Sequence, residues 1–321
     1  MNILITGAFG SLGTHVLDLL VETNHKIRCF SSKSKKSRKK ARKYQDKVEI
    51  IFGDIRNYTE VERAVSGQEL VLHFAAIVPP RFNYEPLDYT RQVNVDGTRN
   101  ILRAINEHDK LIKIIYPSSV AVFGDVRERG ACIIASDEPT SPNDDDIYAQ
   151  QKVLSEEAIQ NSGLQWSIFR FGFMPNTQEL KFDPLMFEVP LDTNMEVIHL
   201  EDAALAIVNA LDKKEIWDKI HHIAGGEKCR LTYKEFVGEM LKAMGIGSLP
   251  DNAFGSNDFH CGFFDTSKSQ SLLNYQKHTF QDIIKEMKEN NKLLSVFARM
   301  FHLVARAYLL NKSPYYKKKS K

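Results

Sequence analysis

Short apolar runs alternate with longer helical spacings through the first half of the chain. Asn2–Thr6, Val48–Phe52, Leu70–Phe74 and Ile112–Tyr116 are each dominated by Ile, Leu, Val and Phe, and Lys26–Phe30 carries Ile27, Cys29 and Phe30. Runs that are apolar at consecutive positions suit strands buried on both faces of a parallel sheet. Between them, Leu12, Val16, Leu19 and Leu20 share one helical face, and Tyr58–Val65 and Thr90–Asn106 read as further helices. Beyond Tyr148 the spacing predicts a helix to about Asn161, a strand at Trp166–Phe169 and a helix from Glu201 to Leu211. Strand and helix in turn predict an α/β protein built on a doubly wound parallel sheet.

From about Phe171 the alternation weakens. Residues 171–195 and 225–289 carry Pro, Gly and Phe-rich turns around short helices such as Thr232–Met244, and read as a smaller substrate-binding lobe. Residues 1–170 form the main unit, to which 196–224 return. The stretch 290–321 stands apart because it contains no Asp or Glu. Within it Leu293, Phe297, Met300, Val304, Ala307 and Tyr308 fall on one helical stripe, opposite Lys292, Arg299 and Arg306, ahead of Lys317, Lys318, Lys319 and Lys321. This basic amphipathic extension is read as a helix docked on its own domain or on a partner subunit. The sharper reading is a peripheral membrane contact. It does not span, since Arg299, His302 and Arg306 interrupt it.

Composition narrows the classes. With 321 residues, 43% hydrophobic, 26% charged and a net charge of +2, the chain can bury a sizeable core and shows no charge excess that calls for a nucleic-acid partner. Cys29, Cys132, Cys229 and Cys261 lack C-x-x-C spacing, which suits a reducing compartment better than a disulfide scaffold or zinc site. No signal-peptide pattern and no apolar run long enough to cross a bilayer are visible, so the expectation is cytoplasmic, peripheral to the membrane at most. Asp144-Asp145-Asp146 precedes a helix, where acids favour the dipole, and one of His221-His222 should face the core. Neither makes a metal site, and none is expected.

Thr6-Gly7-Ala8-Phe9-Gly10-Ser11-Leu12-Gly13 follows the first apolar run and opens the first helix. A strand, a tight glycine turn and a helix start present free backbone N–H groups and a positive helix terminus to a pyrophosphate. Gly7 permits the turn, Gly10 lets backbone approach phosphate, and Gly13 lets helix and strand pack closely. Phe9, Ser11 and Leu12 complete the candidate phosphate loop. A purely structural turn is the plainer alternative, but the strand–turn–helix context favours a dinucleotide. Farther on, Tyr148-Ala149-Gln150-Gln151-Lys152 puts a phenol and an ammonium four residues apart, on one helical face. A tyrosine titrating near ~10 is a poor base at neutral pH until a nearby positive charge favours its phenolate. Ser118-Ser119 end an apolar run and could polarise a substrate oxygen.

These elements, in this order, resemble the extended branch of the short-chain dehydrogenase/reductases, which includes nucleotide-sugar epimerases and dehydratases; the likeness runs to about residue 285. It implies the Rossmann fold, with Tyr148 as acid/base, Lys152 binding the ribose and tuning Tyr148, and Ser119, rather than Ser118, positioning the substrate oxygen. Gly53-Asp54-Ile55 looks like that family's adenine contact, and His73-Phe74-Ala75-Ala76 its adenosine and ribose lining. Asn94 matches a helix position beneath the site, and Val197–Ala203 a later strand–helix junction. The family also implies a homodimer through the Thr90 and Tyr148 helices.

Cofactor choice turns on the end of the second strand, where an acid would accept from the ribose hydroxyl and cations would accommodate a 2′-phosphate. Here Phe30-Ser31-Ser32-Lys33-Ser34-Lys35-Lys36 offers no carboxylate, so NADP is favoured over NAD, with Ser32 and Lys33 as candidate contacts. One departure bears on substrate. Sugar-nucleotide enzymes of the branch usually carry an asparagine shortly after the arginine ending the sixth strand. In Arg170-Phe171-Gly172-Phe173 a phenylalanine stands there, and the lobe beyond is rich in Phe. The primary expectation is therefore an NADP-preferring oxidoreductase of a less polar small molecule. A nucleotide-sugar epimerase or dehydratase is the same-fold rival, and a non-catalytic NADP-sensing regulator the rival of another class.

Overall fold

The computed structural model describes all residues except 109, 110, 179, 181 and 317–321. Its first half runs β1 (Asn2–Thr6), α1 (Ser11–Leu20), β2 (Lys26–Ser31), α2 (Lys35–Ala41), β3 (Glu49–Phe52), α3 (Tyr58–Val65), β4 (Leu70–His73), α4 (Leu87–Arg91), α5 (Gly97–Asn106) and β5 (Lys113–Ser119). The second half runs β6 (Ile133–Ile134), α6 (Ile147–Gln160), β7 (Trp166–Phe171), β8 (Asn194–Glu196), α7 (Leu200–Ala210), β9 (Lys219–Ile223), β10 (Arg230–Thr232), α8 (Tyr233–Ala243), β11 (Phe263–Phe264), α9 (Ser267–Leu273) and α10 (Phe280–Asn290). Helices α11 (Lys292–Met300) and α12 (His302–Lys312) close the chain.

Seven strands form one parallel sheet in the order β3-β2-β1-β4-β5-β7-β9, the Rossmann arrangement expected from the alternation. Period-two geometry sends Ile3 and Ile5 to a core shared with Val16 and Leu17 of α1 and Ala203 and Ile207 of α7. Leu4 and Val71 point the other way, against Val61 of α3 and Ile101 and Ile105 of α5. A third core, around Phe187, Phe236, Phe264 and Ile283, lies under residues 180–290. Much of the lobe's phenylalanine is therefore core: Phe187 and Phe264 are fully buried.

Four expectations change. Leu19, placed on the apolar face of α1, is turned to solvent. β3 is only half buried, because it is the sheet's edge strand. The helix expected over Thr90–Asn106 starts earlier, at Leu87, and carries a π-helical turn at Gln92–Asp96 between α4 and α5. His221 and His222 are both buried, not one, because β9 is covered on both faces, with the His221 ring against Phe169 and the His222 ring stacked on Phe264.

The C-terminal stripe is also divided. α11 and α12 are bent by 102°. They touch the body through Ser295, Ala298 and Leu309, while Leu293, Phe297, Met300, Val304 and Tyr308 face outward. Lys317, Lys318, Lys319 and Lys321 lie outside the described residues.

Candidate active site

The glycine turn sits where β1 meets α1 at the carboxyl edge of the sheet. Gly7 has φ +65°, and a Cβ there would lie 2.7 Å from the Ala75 amide nitrogen. A Cβ on Gly13 would lie 2.6 Å from the Gly7 carbonyl oxygen. Both positions therefore exclude any side chain, and the turn packs directly on the segment after β4. Gly10 and Ser11 are exposed at the start of α1, whose N-terminus has neither a side-chain cap nor an acid in its first turn. That leaves amides and a positive helix end available to an anion, so the cradle fits a pyrophosphate. Leu12 is half buried, and the Phe9 ring is buried against Tyr44 and Phe52, so only the backbone of Phe9 is placed to meet a ligand.

The flanking residues behave less uniformly. Ser32 and Lys33 are exposed just beyond β2. The sequence offered no carboxylate at the β2 end, but the fold brings one from α3: Glu60 accepts from Lys33 Nζ at 3.0 Å and from the Asp54 amide at 2.6 Å. The Asp54 carboxylate is gripped by the Arg56 guanidinium, which holds it below the usual carboxylate range. Ile55 is buried against Gly97. The Ala75 amide donates to Thr6 Oγ1 at 3.1 Å, and Ala76 is half buried beside it. Asn94 sits in the π-helical turn, buried, with its side-chain amide bonded to both backbone groups of Ile77 and to Gln151 Oε1 at 3.0 Å. It braces the loop after β4 against α6.

Helix α6 carries two of the candidate residues, Tyr148 and Lys152. Asp146 caps it by accepting from the Ala149 amide at 2.9 Å, and the same carboxylate bonds His260 of the lobe. Burial pushes Asp146 up, yet the His260 bond and the helix amides hold it below its ordinary range. Two residues past the cap, Tyr148 lies in a small apolar cluster with Ile77, Phe82, Ala121 and Ala149, its ring edge-on to Phe82 at 5.5 Å. Burial raises its pKa, and the neighbouring Ser119 hydroxyl works the other way. Ser119 also accepts from the Ala121 amide at 3.2 Å. Ser118 is buried, and its hydroxyl has no partner among the described residues.

Lys152 lies a turn further along, 5% exposed. Its Nζ donates to the Pro117 carbonyl at 2.8 Å and to the Tyr116 hydroxyl at 3.2 Å. Desolvation lowers its pKa to about 8, opposed by the Glu156 carboxylate. Below it His73 is held between Thr6 Oγ1 and Thr98 Oγ1, and burial with the Lys152 charge pulls it down to about 3. Glu156 itself pairs with Arg170 of β7 at 2.7 Å in the interior. The three residues expected to act together thus converge at the carboxyl end of β5, but Lys152 is bonded to Tyr116 and not to Tyr148. Burial, not the ammonium, dominates the titration of Tyr148. Cavities of about 490 Å³ beside β9 and about 430 Å³ near Asp258 are lined by none of the three.

Sequence reasoning missed Tyr116, Phe82, His260 and Glu60. Tyr116 was visible as a polar atom inside a predicted buried strand. The other three reach the site from distant segments and left no local signal.

A glycine turn at a helix start, with Ser119, Tyr148 and Lys152 gathered near the carboxyl end of β5, lies on a Rossmann-type parallel sheet. Residues 3–179, over half of the sequence, match the model of the NAD dependent epimerase/dehydratase family, and the chain belongs to that family. It is 26% identical over 192 residues to a 3-beta-hydroxysteroid dehydrogenase of Mycolicibacterium neoaurum, covering 58% of this chain and 50% of that one. It is 30% identical over 157 residues to a UDP-N-acetyl-alpha-D-glucosaminuronate decarboxylase of Bacillus cytotoxicus, covering 49% and 45%. The matches thus span about half the length of these curated relatives. Among solved structures, UDP-glucuronic acid 4-epimerase from Bacillus cereus with UDP-glucuronic acid and NAD superposes with TM-score 0.74 at 21% identity, covering 92% of this chain and all of that one. A short-chain dehydrogenase/reductase superfamily protein from Agrobacterium tumefaciens with bound NAD gives TM-score 0.72 at 18% identity, covering 94% and 99%. These two likenesses establish the fold.

Proposed function

We propose that the chain is an oxidoreductase that moves a hydride between a nicotinamide cofactor and a carbinol or carbonyl carbon, with Tyr148 moving the hydroxyl proton. The observation that carries this reading is the Ser119 hydroxyl beside the Tyr148 phenol, whose ring lies in a small apolar cluster. A bound nicotinamide would supply the hydride acceptor or donor at its C4. This chain's residues do the rest. The substrate oxygen takes its place between Ser119 and Tyr148. In oxidation its proton passes to Tyr148 as the C–H electron pair leaves as hydride; in reduction both move back. Lys152, with its ammonium destabilised by burial, is poised to bind a ribose hydroxyl and to favour the phenolate once turned outward. Gly7, Gly10 and Gly13 with the α1 amides would hold the pyrophosphate, and Asp54, Ile55, Ala75 and Ala76 would border the adenosine.

NADP is the favoured cofactor, because Lys33, Lys35, Arg38 and Lys39 are exposed around the end of β2 and Glu60 is already engaged by Lys33 and the Asp54 amide. A less polar alcohol or ketone is the favoured substrate class. Phe173, at the place of the expected asparagine, is 39% exposed and packs edge-on to Phe236 of the lobe at 5.5 Å. Transient use of the cofactor on a nucleotide sugar is the second reading, and the epimerase fold match supports it. A homodimer fits Leu87 of α4 and Leu154 of α6, apolar side chains exposed on the helices expected to pair. Titrating the chain with NADP and NAD, then following reduced cofactor against apolar secondary alcohols and nucleotide sugars, tests the reading. Net reduction with alcohols supports it; turnover of a UDP-sugar with no net reduction sinks it in favour of the second.

A further inference from the structure

More than half of the large apolar side chains exposed among the described residues lie between positions 293 and 316. We propose that α11 and α12 form a surface that docks in the plane of an anionic phospholipid bilayer. The inference rests on the outer face of the C-terminal helices and holds whichever reaction the site performs.

The amphipathicity of the pair is inverted relative to an ordinary surface helix. Small residues, Ser295 and Ala298, face the body with Leu309. The large hydrocarbon faces solvent: Leu293 is 78% exposed, Phe297 60%, Met300 67%, Leu303 70% and Val304 67%. Exposed apolar surface concentrated in one segment marks an interaction site. The pair is also firmly seated. Gly245, at φ +75°, lets α11 approach so closely that a Cβ there would lie 2.9 Å from Arg299 Cβ. Ser313 Oγ donates to the Ala253 carbonyl at 2.5 Å, Arg306 donates to the Ser248 carbonyl, and the Tyr315 hydroxyl bonds Glu188. The hydrocarbon is thus held out on an anchored scaffold.

Charge and length select the occupant. Residues 290–321 contain no Asp or Glu, while Lys292 and Arg299 are exposed beside the patch and the sequence continues into Lys317, Lys318, Lys319 and Lys321. Helices of 9 and 11 residues bent by 102° reach only about half of a bilayer's ~30 Å core each, so the pair lies in the interface and does not cross it. Aromatic side chains at the patch, Phe297, Phe301 and Tyr308, suit the headgroup boundary. A second copy fits poorly: a two-fold contact would set these cations against themselves, with no acid in the segment to answer them.

The test is co-sedimentation of the full chain with vesicles of phosphatidylcholine alone and of phosphatidylcholine with phosphatidylserine. The expected result is at least about ten-fold stronger partition onto the anionic vesicles, falling with salt. Replacing exposed side chains together, Phe297→Ser, Leu303→Ser and Val304→Ser, should lower that partition about ten-fold or more while the melting temperature stays put. No partition onto either vesicle overturns the proposal. So does a triple variant that partitions like the parent, or a concentration-dependent dimer that the triple variant abolishes in the absence of vesicle binding.

Discussion

Two regions of this molecule break the usual sorting of side chains, in opposite directions. Around Tyr148 the fold buries an ammonium, a phenol, a histidine and an Arg–Glu pair. On α11 and α12 it exposes Phe297, Met300 and Leu303, which would be core elsewhere. Neither arrangement helps the isolated chain fold. Burying Lys152 penalises its charge, and exposing hydrocarbon forgoes burial. Departures from local consistency concentrate where a protein does something besides fold. The difference between the two lies in what answers each: Lys152 is bonded from within by Pro117 and Tyr116 and Arg170 is paired with Glu156, whereas the exposed set has no partner in the described chain.

Substitutions separate the two. The largest effect is expected from Glu156→Gln, which leaves Arg170 charged and buried at 3% exposure without its carboxylate. Removing one partner of a buried pair should lower stability by about 3–5 kcal/mol, read by chemical denaturation. Lys152→Met should act oppositely, removing an ammonium that the interior disfavours. It should raise stability by roughly 1–3 kcal/mol at neutral pH while turnover falls at least about a hundred-fold. Loss of stability in that variant would contradict the account of Lys152.

The same residue predicts a pH dependence. The folded ammonium releases its proton near pH 8 and the unfolded one near 10.5. Between those values the unfolded chain binds more protons, so the Lys152 contribution makes stability rise with pH across that window. Subtracting the Lys152→Met curve from the parent curve isolates it; a flat difference breaks the argument. The smallest effect belongs to the outer surface. Phe297→Ser should change stability by no more than about 0.5 kcal/mol, because its side chain is already in water. A melting temperature that drops sharply would show that α11 is packed more fully than its exposure indicates.

How much of this was legible in the sequence depended on whether the cause was local. β1 and α3 fall where the residues placed them, since an apolar run and a helical spacing are local signals. Gly7 and Gly13 were legible because only glycine fits where backbone meets backbone. The pairing of Ser119 with Tyr148 was an expectation of the family resemblance. The brace from Asn94 and the π-helical turn at Gln92–Asp96 were not legible, because such a turn is set by what it packs against. Glu60 reaching Lys33, Phe82 covering Tyr148 and the division of the C-terminal helix all arise from tertiary contacts. The apolar stripe on 293–308 was visible in the sequence, but which way it faced was not.

The central claim is that Tyr148 moves the proton in a hydride transfer. Its most direct test compares Tyr148→Phe with the parent for cofactor affinity and for single-turnover hydride transfer. Removing one hydroxyl from a buried ring should leave the dissociation constant for NADP or NAD within about three-fold, while hydride transfer slows by about 10²–10⁴-fold. Hydride transfer within a few-fold of the parent, with cofactor still bound, would contradict the account.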